Sequence, residues 1–162
     1  MKYFARIGSP VGELLAVGES SEREEIALHG IYFAGAAHAA NAIPDDARED
    51  AAVFGEVADQ LDEYFAGKRR HFDLALAPRG TDFQRAVWAA LAKIPYGETT
   101  TYSAIARAIG KPLAVRAVGA ASGRNPLSIV VPCHRVVGAD GSLTGYAGGT
   151  ANKRRLLDVE AK

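Results

Sequence analysis

The tripeptide Pro78-Arg79-Gly80 constrains this chain more than any other feature, because it separates two stretches with different hydrophobic periods. Immediately after it, Thr81-Asp82-Phe83-Gln84 has the form of a capping box, in which Thr and Gln side chains satisfy the exposed N–H groups of a helix start. A new folding unit therefore begins here. The 162 residues accommodate one full-sized domain or two small ones. The break favours two, an α/β domain over 1–79 and a mostly α domain over 80–162.

In the first unit apolar and polar residues alternate from Tyr3 to Ile7, turn at Ser9-Pro10-Val11-Gly12, and resume from Leu14 to Val17, the pattern of a β-hairpin. A third strand is expected over Ile26 to Phe33. The stretch from Ala34 to Asp50 has weak periodicity and reads as loop. From Ala51 on, Phe54, Val57, Ala58, Leu61, Tyr64 and Phe65 recur at helical spacing up to Gly67, and Lys68, Arg69 and Arg70 follow where a helix C-terminus favours cations. Phe72, Leu74 and Leu76 then alternate as a strand.

The second unit opens with a helix carrying Phe83, Val87, Trp88, Leu91 and Ile94 and stopping at Pro95-Tyr96-Gly97. A short helix from Tyr102 to Ile109 ends at Gly110, and Pro112 suits the first turn of a third helix reaching Ser122. Two short helices joined by Gly-Lys-Pro have the form of a helix-turn-helix. The apolar run Ser128-Ile129-Val130-Val131 reads as a buried extended segment that delivers the chain to Pro132-Cys133-His134-Arg135. Asp140-Gly141, flanked by Leu143 and Tyr146, suggests a hairpin turn, and Ala151 to Glu160 a closing helix.

Charge is unevenly divided although the net charge is zero. Residues 1–80 carry 8 Lys+Arg against 14 Asp+Glu, and residues 81–162 carry 11 against 5. The basic half is the one suited to a polyanion, unless the split is merely solvated surface charge. Arg107, Lys111, Arg116 and Arg124 would form its cationic face. No apolar run approaches the roughly 20 residues of a spanning helix, and the N-terminus lacks the form of a signal peptide. A cytoplasmic address and no membrane partner are the expectation.

The chain has one cysteine, which excludes an internal disulfide and a Cys-rich zinc cage. Beside valines and a proline, Cys133 reads by itself as a small core hydrophobe. His134 and Arg135 supply the other reading, since a base or cations near a thiol raise its availability as thiolate. His134 in turn needs a carboxylate to fix its tautomer, and Asp140, Asp158 and Glu160 are all near enough in sequence. The small residues Ala117, Gly119, Ala120 and Ala121 allow the third helix to approach another backbone or a nucleic-acid groove closely.

At Ile129-Val130-Val131-Pro132-Cys133-His134-Arg135-Val136-Val137 the chain resembles the O6-alkylguanine-DNA alkyltransferases, also called methylated-DNA-protein-cysteine methyltransferases. The resemblance extends through Gly80-Thr81-Asp82-Phe83-Gln84, Val87-Trp88, Ile94-Pro95-Tyr96-Gly97, Thr101-Tyr102, Arg116-Ala117-Val118-Gly119, Gly123-Arg124-Asn125-Pro126 and Leu143-Thr144-Gly145-Tyr146-Ala147-Gly148-Gly149. It covers residues 80–160 in order. The first half fits more loosely, as a ribonuclease-H-like α/β domain, and the second as a winged helix-turn-helix domain.

The resemblance implies direct-reversal repair: one irreversible transfer of a methyl or other alkyl group from O6-alkylguanine, and from O4-alkylthymine, to Cys133. It implies double-stranded DNA bound through the minor groove by a monomer, with Arg116 filling the gap left by a flipped base and Tyr102, Ala117, Gly119 and Ser122 at the DNA. His134 would take the cysteine proton through a water, Glu160 would orient His134, and Tyr102 would donate to the purine ring. Cys133, Val136, Tyr146 and Ala147 would form the substrate pocket, with backbone groups of Cys133 and Val136 reading the exocyclic amine. Some relatives carry a hydroxyl residue at Ala147, so here only the backbone N–H could reach the lesion oxygen. Asn125 would brace the turn before the active segment.

No metal and no cofactor are implied, because the zinc ligands of some relatives are cysteines absent here. His29, His38 and His71 read as structural or surface residues. Three competing functions differ in what they require. A module that binds alkylated bases without repairing them normally lacks the reactive cysteine. A thiol hydrolase needs an oxyanion hole that no motif marks. A transcription factor would need sequence preference and a regulatory domain.

Overall fold

The computed structural model describes residues 1–21, 25–37 and 39–162. His38 lies outside the described residues. Two compact units emerge, Met1–Pro78 and Arg79–Lys162.

The first unit is built on a four-stranded sheet of order β3-β2-β1-β4. Strands β1 (Lys2–Ile7) and β2 (Leu14–Glu19) form the expected hairpin, with Ser9 accepting from Gly12 N–H across the turn. Strand β3 (Ala27–Phe33) pairs antiparallel to β2, which leaves β2 central and almost wholly buried. Leu15, Val17 and Ala39 form a core cluster to which Phe4, Tyr32 and Ile43 add.

Within the segment read as loop, a two-residue strand β4 (Arg48–Glu49) pairs parallel to β1. Two residues are too few for any alternation to register. Helix α1 (Gly55–Phe65) buries Val57, Leu61 and Tyr64, and closes at Gly67 with the paired bonds of a Schellman turn, Gly67 N–H to Tyr64 O and Lys68 N–H to Glu63 O.

The strand expected at Phe72–Leu76 is absent. The segment makes a single parallel bridge, Leu76 to Leu28, and its other anchor is the Gln60 carboxamide, which accepts from Asp73 N–H and donates to Asp73 O. Side-chain tethering replaces a ladder there. His29 donates from Nδ1 to Ala77 O at 2.7 Å, and His71 is exposed.

In the second unit, α2 (Asp82–Ala92) opens on a complete capping box, in which Thr81 Oγ1 accepts from Gln84 N–H and Gln84 Oε1 accepts from Thr81 N–H. Its Trp88 donates from Nε1 to Ala121 O at 2.9 Å, tying it to α4 (Val115–Gly123). Between them lie β5 (Thr100–Thr101) and α3 (Tyr102–Ala108). Helix α3 ends in a second Schellman turn, with Gly110 N–H to Arg107 O and Lys111 N–H to Ala106 O.

Pro112 does not begin the next helix. It occupies the second position of a turn closed by Ala114 N–H to Lys111 O, where its fixed φ is equally suited, and α4 starts three residues later. Ser128–Val131 is likewise not extended. Ile129 adopts φ +73°, Val130 N–H bonds to Ser128 O and Val131 N–H to Leu127 O, so the apolar run is a coil of tight turns. It is apolar because it is buried, not because it joins a sheet.

After a 3-10 turn over Cys133–Arg135, β6 (Val136–Val137) pairs parallel to β5. The Asp140-Gly141 turn forms, closed by Gly138 N–H to Ser142 O, but no strands flank it as a hairpin. Helix α5 (Thr150–Glu160) closes the unit. Among the described residues no helix is long and apolar enough to cross a membrane.

Candidate active site

Cys133 opens the 3-10 turn that follows Pro132, and it lines a small, partly open pocket. Tyr102 from the start of α3, Gly119 and Ser122 from α4, and Tyr146 and Ala147 from the segment before α5 share its walls. Glycine at 119 leaves room there, since even an added Cβ would stand 3.9 Å from the Tyr102 ring.

The loop that carries Cys133 is held from within. Asn125 donates from Nδ2 to Val131 O at 2.8 Å and accepts at Oδ1 from Leu127 N–H at 3.0 Å, bridging both ends of the turn in which Ile129 takes its left-handed φ. A β-branched residue there costs about 1–3 kcal/mol. The Asn125 bonds and the burial of Ile129 hold it in place.

The two residues after Cys133 enter a buried charged network. His134 Nε2–H donates to Glu160 Oε2 at 2.7 Å, while Arg135 donates from Nε to Glu160 Oε1 at 2.8 Å and from Nη2 to Oε2 at 3.0 Å. Arg135 also donates to Ile94 O at 2.6 Å and stacks over the Tyr96 ring. The Pro95-Tyr96-Gly97 stop of α2 thereby gains a second purpose. Gly97 has φ +81° and would bring a Cβ within 3.3 Å of Glu160 O. Any other residue would be strained and would crowd the end of α5.

A carboxylate can only accept, so the bond from Nε2 leaves Nδ1 of neutral His134 as the unprotonated nitrogen. That Nδ1 is buried and has no hydrogen-bond partner among the described residues. Burial pushes the His134 imidazole below its ordinary value, against the opposing pull of Glu160. Burial pushes the Cys133 thiol up, opposed by the Asn125 carboxamide and the charge of Lys153. At rest the pair is thus a neutral thiol beside a neutral imidazole with one open acceptor.

Both halves of the chain match family models. Residues 2–78 match the 6-O-methylguanine DNA methyltransferase, ribonuclease-like domain, and residues 82–162 match the 6-O-methylguanine DNA methyltransferase, DNA binding domain. The chain belongs to this methyltransferase family. A methylated-DNA--protein-cysteine methyltransferase of Methanosarcina barkeri is 51% identical over 98% of this chain and 96% of its own. Its counterpart in Mycobacterium tuberculosis is 47% identical over 99% of this chain and 93% of its own. The crystal structure of Mycobacterium tuberculosis OGT in complex with DNA superposes with a TM-score of 0.87 at 44% identity, covering 98% of this chain and 92% of that one.

Against this family background, the residues singled out from sequence fall into three places. Cys133, Tyr102, Gly119, Ser122, Tyr146, Ala147 and Asn125 surround the cavity, and His134 and Glu160 are buried and paired with each other. Arg116 and Ala117 stand on the exposed face of α4, with Arg107, Lys111 and Arg124 also exposed. Val136 is fully buried in β6, and its side chain does not line the cavity.

Two site residues escaped sequence reasoning. Thr144 Oγ1 lies 2.6 Å from the Tyr102 hydroxyl, and Lys153, only 1% exposed, points its Nζ to Thr144. A signal for Lys153 existed. It stands three and seven residues before Leu156 and Glu160, on the face of α5 that is buried. Thr144 carried no such mark.

Proposed function

We propose that this protein repairs DNA by direct reversal, moving the alkyl group of an O6-alkylguanine onto its own Cys133. The observation that carries the reading is a buried cysteine lining a pocket with Tyr102 and Asn125, and followed in the chain by the buried His134–Glu160 pair, in a chain of this family. The structure of the mycobacterial relative with DNA supports DNA as the partner.

The exposed cations of α3 and α4 bind phosphates, and the small-residue face of α4 enters the minor groove. A base within a duplex cannot reach the cavity, so the lesion is flipped out and Arg116 takes its place in the stack. The alkylated base pairs poorly, which lowers the cost of extraction. Ala147 offers only its backbone N–H to the lesion oxygen.

With the base in place, His134 Nδ1 takes the Cys133 proton through one water, and Glu160 compensates the imidazolium. The thiolate attacks the alkyl carbon from the side opposite O6. Tyr102 donates a proton to the purine as negative charge develops, so neutral guanine departs. A thioether is a poor leaving group and the chain has no second thiol, so each molecule acts once. O4-alkylthymine presents the same reacting C–O bond and is a second substrate. The protein works as a monomer in the cytoplasm.

Radiolabelled methyl in an O6-methylguanine duplex should pass to the wild-type protein in a stoichiometric burst and not to Cys133→Ala. A folded, reduced wild-type protein that leaves the label on DNA would refute the reading.

A further inference from the structure

Thr144 has no part in the steps above, yet its side chain stands between two groups that matter to them. The Tyr102 hydroxyl lies 2.6 Å from Thr144 Oγ1, and Lys153 Nζ donates to both Thr144 Oγ1 and Thr144 O at 3.4 Å. Lys153 projects from α5 into the interior, 1% exposed. An ammonium group so placed is unfavourable unless something compensates it. Burial pushes the Lys153 ammonium below its ordinary value, and a thiolate at Cys133, once formed, opposes that shift.

Resting on the transfer reading, we propose that Thr144 is a positioning residue for the leaving-group proton, its hydroxyl joining the buried Lys153 ammonium to the Tyr102 phenol so that Tyr102 is reprotonated as it gives its own proton to guanine. The S–C bond forms, the C–O6 bond breaks, and its electron pair passes into the purine. The Tyr102 proton goes to the purine, the Thr144 proton to the Tyr102 oxygen, and a Lys153 proton to Thr144 Oγ1. Lys153 ends as the neutral amine. The original thiol proton stays on His134, so no outside acid or base is consumed.

Timing follows from charge. While Cys133 is a thiolate it favours ammonium at Lys153, and once it is a neutral thioether that support is gone. The lysine becomes a better acid as the purine requires the proton. A threonine serves here because one hydroxyl can accept and donate at once.

The test separates leaving-group protonation from thiol reactivity. Wild type, Thr144→Val, Thr144→Ala and Thr144→Ser are compared in methyl transfer from an O6-methylguanine duplex and in alkylation of Cys133 by iodoacetamide, whose iodide leaves without a proton. Thr144→Val and Thr144→Ala should slow methyl transfer by about tenfold or more while iodoacetamide labelling stays within about twofold. Thr144→Ser should restore transfer to within about threefold of wild type. Transfer unchanged in the hydroxyl-free variants, equal loss in both reactions, or failure of serine to rescue would overturn the role of Thr144 alone. Absence of transfer by the wild type would remove the transfer reading, and this one with it.

Discussion

His134 Nε2 lies 2.7 Å from Glu160 Oε2 with neither side chain more than 1% exposed, so the imidazole next in the chain to Cys133 is oriented by a carboxylate sealed from water. The same carboxylate is gripped by Arg135 through two bonds. Glu160 therefore serves two donors at once, and its loss leaves a buried guanidinium without its counter-charge.

Glu160→Gln should lower the single-turnover rate of methyl transfer by about 10²-fold or more, because the imidazolium loses its compensating charge. The broken ion pair should also destabilise the fold by about 3–5 kcal/mol. Rapid-quench kinetics and urea denaturation measure the two effects. Wild-type values in both would show the pair to be incidental.

Acid should weaken the fold through His134. Its folded value is lowered by burial, so at pH below about 6.5 the unfolded chain binds a proton that the native state excludes. Stability is thus held above that pH and lost as pH falls toward the folded value. Urea midpoints taken from pH 7.5 down to 5 should decline, and His134→Asn should decline less steeply over that window. Equal slopes would contradict a neutral buried imidazole.

Removing the Asn125 side chain should loosen the active loop. Asn125→Ala orphans Val131 O and Leu127 N–H, each a buried group whose loss of partner costs about 1–3 kcal/mol. Lower stability should come with slower iodoacetamide labelling or transfer as Cys133 loses its placement. Hydrogen exchange of the Leu127 and Val131 amides provides the local readout, and unchanged protection would count against the brace.

Arg116 is exposed on α4 and away from the cavity walls. Arg116→Ala should slow repair of a duplex lesion far more than reaction with the free O6-alkylated base, since only the duplex needs its stack repaired after flipping. Equal losses on both substrates would remove the finger role.

Much of this architecture is legible in the sequence, and what is not depends on contacts between residues apart in the chain. Thr81 and Gln84 announced α2 because capping is local, and Gly67 and Gly110 announced helix ends for the same reason. Ser128–Val131 misled because burial and extension share an apolar signature. The left-handed φ of Ile129 and the bonds of Asn125 to Leu127 and Val131 reveal that the chain coils there.

At the site, the cysteine and its neighbours stood out through motif, whereas the choice among Asp140, Asp158 and Glu160 as acid was not fixed by spacing. Only Glu160 among them is buried against His134. Thr144 went unseen because its 2.6 Å contact with Tyr102 spans 42 residues. Nothing local encodes such a distance.

The most direct test of the central claim is peptide mass mapping of the intact protein after incubation with a duplex bearing one O6-methylguanine. The account predicts one added methyl group per molecule, confined to the peptide containing Cys133, with unmodified guanine restored in the DNA. Methyl found on another residue, or repaired DNA with Cys133 left as a free thiol, would contradict it.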